Sequence, residues 1–219
     1  MRYGSLSMHR GLFKFVLLAT ALLPAGCNVV GVVAYKVAGP PKVPAKYVPP
    51  KEPMVVLVER YNAPSASVTD CETLAIEIFR ELSKREVGQQ IDPVTILNLR
   101  DKDPAAFKKM TISQIGAAVT AKQVIYVNLL SSSMESAGDG ALFRGMITGR
   151  VKVIDVATGA TAWPQDAADG YPIAGEVKPN LTNSGTTPEA ARVALIRQMA
   201  FSTSRLFYKW TPEDEIPDD

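Results

Sequence analysis

Six prolines within residues 40–53 set the first limit on how this chain of 219 residues can fold. Because proline fixes φ and lacks a backbone N–H, such a run favours extended polyproline II and is excluded from helix interiors and central strands. At about 3.1 Å per residue, the run could reach roughly 40 Å. We therefore expect one folded domain after it, over 54–211, followed by a solvated acidic tail over 212–219.

The residues before the proline run have the order of a secretory signal. Arg2 and Arg10 precede the apolar segment 15–23, and the small pair Ala25-Gly26 follows it. A basic region, an apolar region and small residues at the cleavage site are typical of exported chains. The order therefore predicts export from the cytoplasm.

Cys27 follows the small pair directly, and the combination resembles the lipobox of bacterial lipoproteins. In that family the signal peptide is cut before the cysteine, whose sulfur carries a diacylglycerol. The chain departs from the family at Pro24, where an aliphatic residue is usual. The resemblance implies a signal peptide over 1–26, a lipid on Cys27, and a lipid-anchored tether over 27–53.

An uncleaved membrane helix is the alternative anchor. The 21 residues from Phe15 to Tyr35 carry no charge and lie between Lys14 and Lys36, and roughly 20 apolar residues suffice to span a bilayer. Pro24 inside the segment disfavours a regular helix. Either anchor would hold the domain at a cell membrane or an outer membrane. Cleavage without lipidation would release a soluble exported chain, so all three alternatives predict a domain that works outside the cytoplasm.

Charge, histidine and cysteine counts exclude several classes of protein. Residues 1–26 hold three of the 24 basic residues and no acidic one, which leaves 21 basic against 22 acidic, too balanced to predict a nucleic-acid partner. His9, the only histidine, lies in the same segment, so we expect no histidine-based catalytic or metal site. Cys71 is expected as a small buried thiol. No catalytic residue, cofactor or metal is predicted.

Apolar periodicity predicts an α/β fold. The expected elements are a buried strand at 54–61, a helix with a capping box at 69–72, a strand at 94–99, a short helix at 111–120, a strand at 123–130, an alternating strand from 143, its hairpin partner at 161–163, and a helix at 188–210. Residues 131–140 and the stretch from 164 to 187 are expected as polar connections. The order is βαβαβ, then an antiparallel β-hairpin and a long C-terminal helix, in one domain of two or three layers on a mixed sheet.

Two sets of charged residues are candidate sites. Arg144, Arg150 and Lys152 alternate along one face of the predicted strand, and could meet an anionic polymer, a lipid headgroup or an acidic partner. A solvated face is the simpler interpretation. Glu59 lies near the end of the first predicted strand and Asp101 just after the second, where α/β sites often lie, and the two could form a carboxylate pair. That pair would make the chain a hydrolase, although solvated strand-end acids are the more common case.

The layout of residues 54–210 also resembles a group of bacterial envelope proteins. The aliphatic-Asp-x-x-Thr-Gly-x-x-x-Trp hairpin within 149–163 is the most similar part. The group includes the penicillin-binding-protein activator lipoproteins, the curli secretion component and the TolB amino-terminal domain. The resemblance implies a non-enzymatic binding or scaffold module with an envelope protein partner. An oligomeric secretion or pore-associated component, a homo-oligomer, is the alternative that it leaves open.

Overall fold

The structure, a computed structural model, describes residues 42–61, 66–137, 142–178 and 187–212. The predicted signal peptide, Cys27, the alternative anchor over 15–35 and residues 213–219 of the acidic tail lie outside this part. By their contacts, residues 44–210 form one unit, and the described residues 42–43 and 211–212 are assigned to another. Within the described stretches, no helix combines the length and the hydropathy needed to cross a bilayer.

A mixed sheet of six strands organises the described elements. The strands are β1 (Pro53–Glu59), β2 (Gln89–Ile91), β3 (Gln123–Ala137), β4 (Leu142–Asp155), β5 (Thr161–Trp163) and β6 (Tyr171–Val177). The helices are α1 (Val68–Lys84), α2 (Val94–Lys102), α3 (Pro104–Phe107), α4 (Ile112–Ala118) and α5 (Pro188–Ser204). The strand order is β2-β1-β3-β4-β5, with β6 also paired to β4. β1 is parallel to both of its neighbours and the other pairs are antiparallel, which confirms the predicted α/β class.

Helices cover both faces of the parallel part of the sheet. One face packs around Val56, Leu74 and Met199, which belong to β1, α1 and α5. The other face packs around Leu57 and Ile96, which belong to β1 and α2. Burial on both faces explains why the sequence of β1 is a continuous apolar run rather than an alternating one.

The strand predicted at 94–99 is wrong, because this segment lies within helix α2. Asp92 Oδ1 accepts a hydrogen bond of 2.9 Å from the backbone N–H of Val94, which fixes the first turn after Pro93. A short run of β-branched and aliphatic residues fits a buried strand and a helix equally well by periodicity. The second strand in chain order is instead β2, which is more polar, lies just before the helix and pairs with one side of β1.

The capping box of α1 begins two residues before the predicted position. Ser67 is the N-cap, and its hydroxyl accepts from the backbone N–H of Asp70 at 3.0 Å. The Asp70 carboxylate in turn accepts from the backbone N–H of Ser67 at 2.9 Å. Asp70 is therefore part of the start of the helix, and its side chain is buried.

The two polar connections that the sequence predicts contain strand. β3 continues to Ala137, with a bulge between Leu129 and Ser131, so the serine-rich stretch pairs with β4 instead of forming a loop. β6 lies within the other predicted connection and pairs with β4 through Gly145–Val151. Serine and glycine weaken the strand signal in a sequence, and here cross-strand pairing overrides it.

The hairpin after β4 and the C-terminal helix are confirmed. β5 pairs with β4 through Thr161 and Trp163, as the predicted hairpin requires. Helix α5 begins at Pro188, with the Thr187 hydroxyl as its cap. It ends at Ser204, six residues before the predicted end.

Part of the proline-rich segment is packed against the domain. The backbone N–H groups of Lys46 and Tyr47 both donate to the carbonyl of Leu206, at 2.8 and 3.0 Å. The Tyr47 ring centroid lies 6.1 Å from that of Trp163 and 6.4 Å from that of Phe207. Of the predicted tether, the part from residue 46 onward is therefore held by the fold.

Candidate binding cleft

A cleft opens at the carboxyl end of β1, between the first turns of α1 and helix α2. Its volume is about 290 Å³. In open α/β sheets, ligands bind beyond the carboxyl ends of strands, at the point where successive connections leave on opposite faces. β1 meets this condition because α1 connects it to β2 on one face, while α2 and α4 connect β2 to β3 on the other.

Apolar side chains form most of the cleft walls. Three elements supply them: Val56 and Val58 from β1, Cys71 and Ala75 from α1, and Ile96 and Leu97 from α2. Mostly apolar walls with a few polar groups are typical of ligand sites in proteins. The cleft therefore suits a ligand with apolar side groups.

Charged side chains of the cleft are engaged with partners. Arg100 Nη2 lies 2.6 Å from Glu72 Oε1 and so joins α2 to α1. This hydrogen bond raises the pKa of the Arg100 guanidinium, because it stabilises the charged form. Arg60 donates to the carbonyl of Ala66 at 2.6 Å. Within the described stretches, no group of three or more histidine, cysteine or acidic side chains is arranged to hold a metal ion.

The carboxylates that the sequence suggests as a pair lie in different settings. Glu59 ends β1 and lines the cleft, where its Oε2 accepts a hydrogen bond of 3.0 Å from the Tyr126 hydroxyl. Burial and the negative charge of Glu59 both raise the pKa of Tyr126. Asp101 is exposed on α2, lies 3.4 Å from Arg100 Nε and does not line the cleft. Its predicted position after a strand is wrong, because the segment before it is helical.

The thiol of Cys71 is buried at the side of the cleft, and the prediction of a buried free cysteine is confirmed. Burial raises its pKa to about 11, although the nearby Arg60 acts in the opposite direction. Only the thiolate is a strong nucleophile, so the raised pKa keeps Cys71 mostly protonated at neutral pH and lowers its reactivity.

We expect slow alkylation of Cys71 in the folded chain. A pKa of about 11 instead of 9.0 leaves roughly a hundredfold less thiolate near pH 8, which slows the reaction with iodoacetamide by that factor. The rate, followed by mass spectrometry in the Cys27→Ser chain, should rise steadily with pH up to about 11. A folded-state rate equal to the rate in denaturant would contradict this placement of the thiol.

The three basic residues predicted on one strand face share that face in β4, but the surface around them is not uniformly basic. Arg144 is exposed and lies opposite Glu135 of β3 in the register. Arg150 donates to the carbonyl of Gly170 at 3.2 Å, and Lys152 is half-buried. Charges of both signs therefore lie along this face, and its role in partner binding stays a prediction.

The residues that join the two sides of the cleft were not among the site residues predicted from the sequence. Glu72 and Arg100 are 28 positions apart in the chain. Arg100 followed a segment predicted as strand, which would have placed it at a sheet edge. The helical pattern of α1 alone could have indicated that Glu72 faces away from the core stripe.

Comparisons of this chain with known proteins find only weak similarities. No family model matches the chain, and no curated protein matches it. Similar solved structures include a lipoprotein from Neisseria meningitidis, at 10% identity and a TM-score of 0.45, covering 59% of this chain and 84% of that one. A PelC dodecamer from Paraburkholderia phytofirmans has 12% identity and a TM-score of 0.44, covering 76% and 97%. A hypothetical protein from Chlamydia trachomatis has 12% identity and a TM-score of 0.41, covering 72% and 94%. At TM-scores below 0.5, none of these likenesses supports an inference about this chain.

Proposed function

We propose that this chain is a lipid-anchored module of the bacterial cell envelope that binds a partner protein in the cleft beside β1 and catalyses no reaction. The cleft carries the binding part of the proposal, since its apolar walls lie where α/β sheets bind ligands. The order of basic, apolar and small residues before Cys27 supports the anchor. The domain would then face the periplasm or the exterior.

The states of the polar groups at the cleft support binding rather than catalysis. Cys71 is protonated at neutral pH, Glu72 is paired with Arg100, and Glu59 accepts a hydrogen bond from Tyr126. A nucleophile or a general base is normally activated by a neighbouring base or a pKa near the working pH. The hydrolase alternative would need Glu59 and Asp101 to act together, and only Glu59 lines the cleft.

The packed part of the proline-rich segment limits how far the domain can lie from the membrane in this proposal. Because the backbone N–H groups of Lys46 and Tyr47 are hydrogen-bonded to the carbonyl of Leu206, only residues 27–45 separate the proposed lipid from this part of the fold. Nineteen residues reach at most roughly 65 Å when fully extended. The cleft would therefore act on partners held at, or close to, the same membrane.

Site-specific photocrosslinking in the native bacterium tests the binding part. Tyr61 lines the cleft and is 84% exposed, so a photoreactive residue there should crosslink to an envelope protein. Leu97, also in the lining, should give the same partner. Val48 is 76% exposed and does not line the cleft, so it serves as the matched control.

The pattern of crosslinks decides between the proposal and its alternatives. A shared partner at Tyr61 and Leu97 that is missing at Val48 supports the cleft. Crosslinks between two copies of the chain would favour the oligomeric secretion component instead. No crosslink from the cleft, or the same products from all three positions, would contradict the proposal.

A further inference from the structure

The cleft lies along an edge of β1 that is only partly paired. On one side β3 pairs with β1 from Met54 to Glu59. On the other side β2 pairs only from Pro53 to Val55, and then the chain turns into α2. Within the stretches that the structure describes, no other strand pairs with this side of β1, so residues 56–59 have an open edge.

Main-chain groups of alternate β1 residues point toward the open edge. The carbonyl of Glu52 accepts from the N–H of Gln89, at 3.2 Å, and so faces β2. The carbonyl of Pro53 accepts from the N–H of Lys122, at 2.7 Å, and so faces β3. Neighbouring residues of a strand direct their main-chain groups to opposite sides. By this alternation, the N–H and carbonyl of Val58 point to the β2 side, beyond the end of β2.

The open edge is buried within the cleft rather than exposed on the surface. Val56 and Val58 line the cleft, and the two residues are 1% and 8% exposed. Buried main-chain donors and acceptors require hydrogen-bond partners. Another extended main chain supplies a donor and an acceptor at the spacing of a strand, which is the basis of peptide recognition by strand addition.

The charges of the cleft select a ligand without net charge. Its lining contains two guanidinium groups, from Arg60 and Arg100, and two carboxylates, from Glu59 and Glu72. The signs balance, so neither an anion nor a cation is favoured. A peptide segment with apolar side chains matches this balance, because it is neutral, polar in its main chain and apolar elsewhere.

From this geometry we propose that the cleft takes an extended, apolar segment of a partner polypeptide, which adds to the open edge of β1 as a short strand continuing the line of β2. The inference rests on the cleft of the proposed function and assigns its ligand class. At about 3.3 Å per residue, the open edge of four residues spans roughly 13 Å, so two to four residues of the partner enter. Their main chain bonds to Val58, and alternate side chains fill the apolar walls.

A peptide display experiment tests the ligand class directly. A library of displayed heptapeptides is selected on the full chain in detergent, and enriched peptides are synthesised. Each backbone N–H is then replaced in turn by N-methyl. We expect losses of affinity on the order of tenfold or more at every second residue within the bound segment, and little change at the residues between them.

Matched variants locate the binding. Leu97→Trp fills the cleft and should abolish binding of the enriched peptides, whereas Val94→Trp, on the exposed side of the same helix and outside the lining, should leave it unchanged. Circular dichroism of both variants verifies the fold. If Leu97→Trp fails to fold, crosslinking of a photoreactive peptide to Leu97 or Tyr61 locates the site instead.

Two results would overturn strand addition. One is the absence of any enriched peptide that depends on the cleft. The other is affinity that shows no alternation on N-methylation, which would indicate recognition by side chains alone. If either result is obtained while the cleft residues still crosslink to a partner in cells, strand addition is wrong but the proposed function stands. If the peptides bind with the alternating pattern but the cleft gives no crosslink in cells, the proposed function is wrong.

Discussion

Gly175→Val is expected to lower the free energy of unfolding by about 3 kcal/mol or more. Gly175 lies on β6, where a Cβ atom would be 2.8 Å from the backbone nitrogen and 3.0 Å from the Cα of Met199 on α5. These are main-chain atoms, so no side-chain rotation can make room. The larger side chain would force the C-terminal helix away from the sheet and expose the apolar surface that both share.

Urea denaturation followed by circular dichroism measures this effect. Ala174→Val provides the control, because Ala174 is the exposed neighbour on the same strand and a change there should stay within about 0.5 kcal/mol. Equal midpoints for the two variants would contradict the close contact between β6 and α5.

Asp70→Asn is expected to cost about 2 kcal/mol at pH 7. The side chain of Asp70 is only 7% exposed, and Arg192 holds it through contacts of 2.6 and 2.7 Å. Burial alone would raise the pKa of Asp70, but the hydrogen bonds from Arg192 and Ser67 outweigh it and lower the pKa below 3.8. Because Arg192 remains partly exposed, we expect Asp70→Asn to lower the free energy of unfolding by less than the loss of a fully buried ion pair would.

The pH dependence of this variant has a defined sign. A carboxyl group with a lower pKa in the folded state stabilises the fold at pH values above its unfolded pKa, and loses this effect as the pH falls through the folded pKa. The difference in stability between the wild type and Asp70→Asn should therefore be full at pH 7 and shrink as the pH falls below about 4.

A double-mutant cycle with Arg192→Ala separates the ion pair from the capping hydrogen bonds. We expect a coupling energy of about 1 kcal/mol or more at pH 7. Glu77→Gln, in the exposed pair between Glu77 and Arg80, should change stability by less than about 0.5 kcal/mol. Additive effects of Asp70→Asn and Arg192→Ala, or a difference that is independent of pH, would contradict the role of this pair.

Those parts of the fold that local chemistry determines were predictable from the sequence. The turn between β4 and β5 is an example, because Asp155 Oδ1 accepts from the backbone N–H of Thr158 at 2.8 Å and Gly159 has a φ of +70°. Both requirements are readable in the letters Asp-x-x-Thr-Gly. β1 and α1 were likewise evident from their apolar patterns.

The parts that depend on tertiary pairing were not predictable. β6 was predicted as part of a polar connection because, of its seven residues, Ile173 and Gly175 alone are fully buried, and the glycine is explained by the close approach of α5. The apolar pattern of residues 94–99 fits both a strand and a helix. The segment can be assigned to a helix only once β2 is seen to occupy the place beside β1. The cleft depends on this choice, since its second wall is α2, and therefore no pattern in the sequence indicated it.

Anchoring of the chain through Cys27 is the central claim, and the intact mass of the protein purified from membranes tests it most directly. The wild-type chain should have the mass of a polypeptide that begins at Cys27 and carries a diacylglycerol, whereas Cys27→Ser should be unprocessed and without lipid. A wild-type mass equal to that of the complete unmodified chain, together with membrane retention of both forms, would contradict the claim.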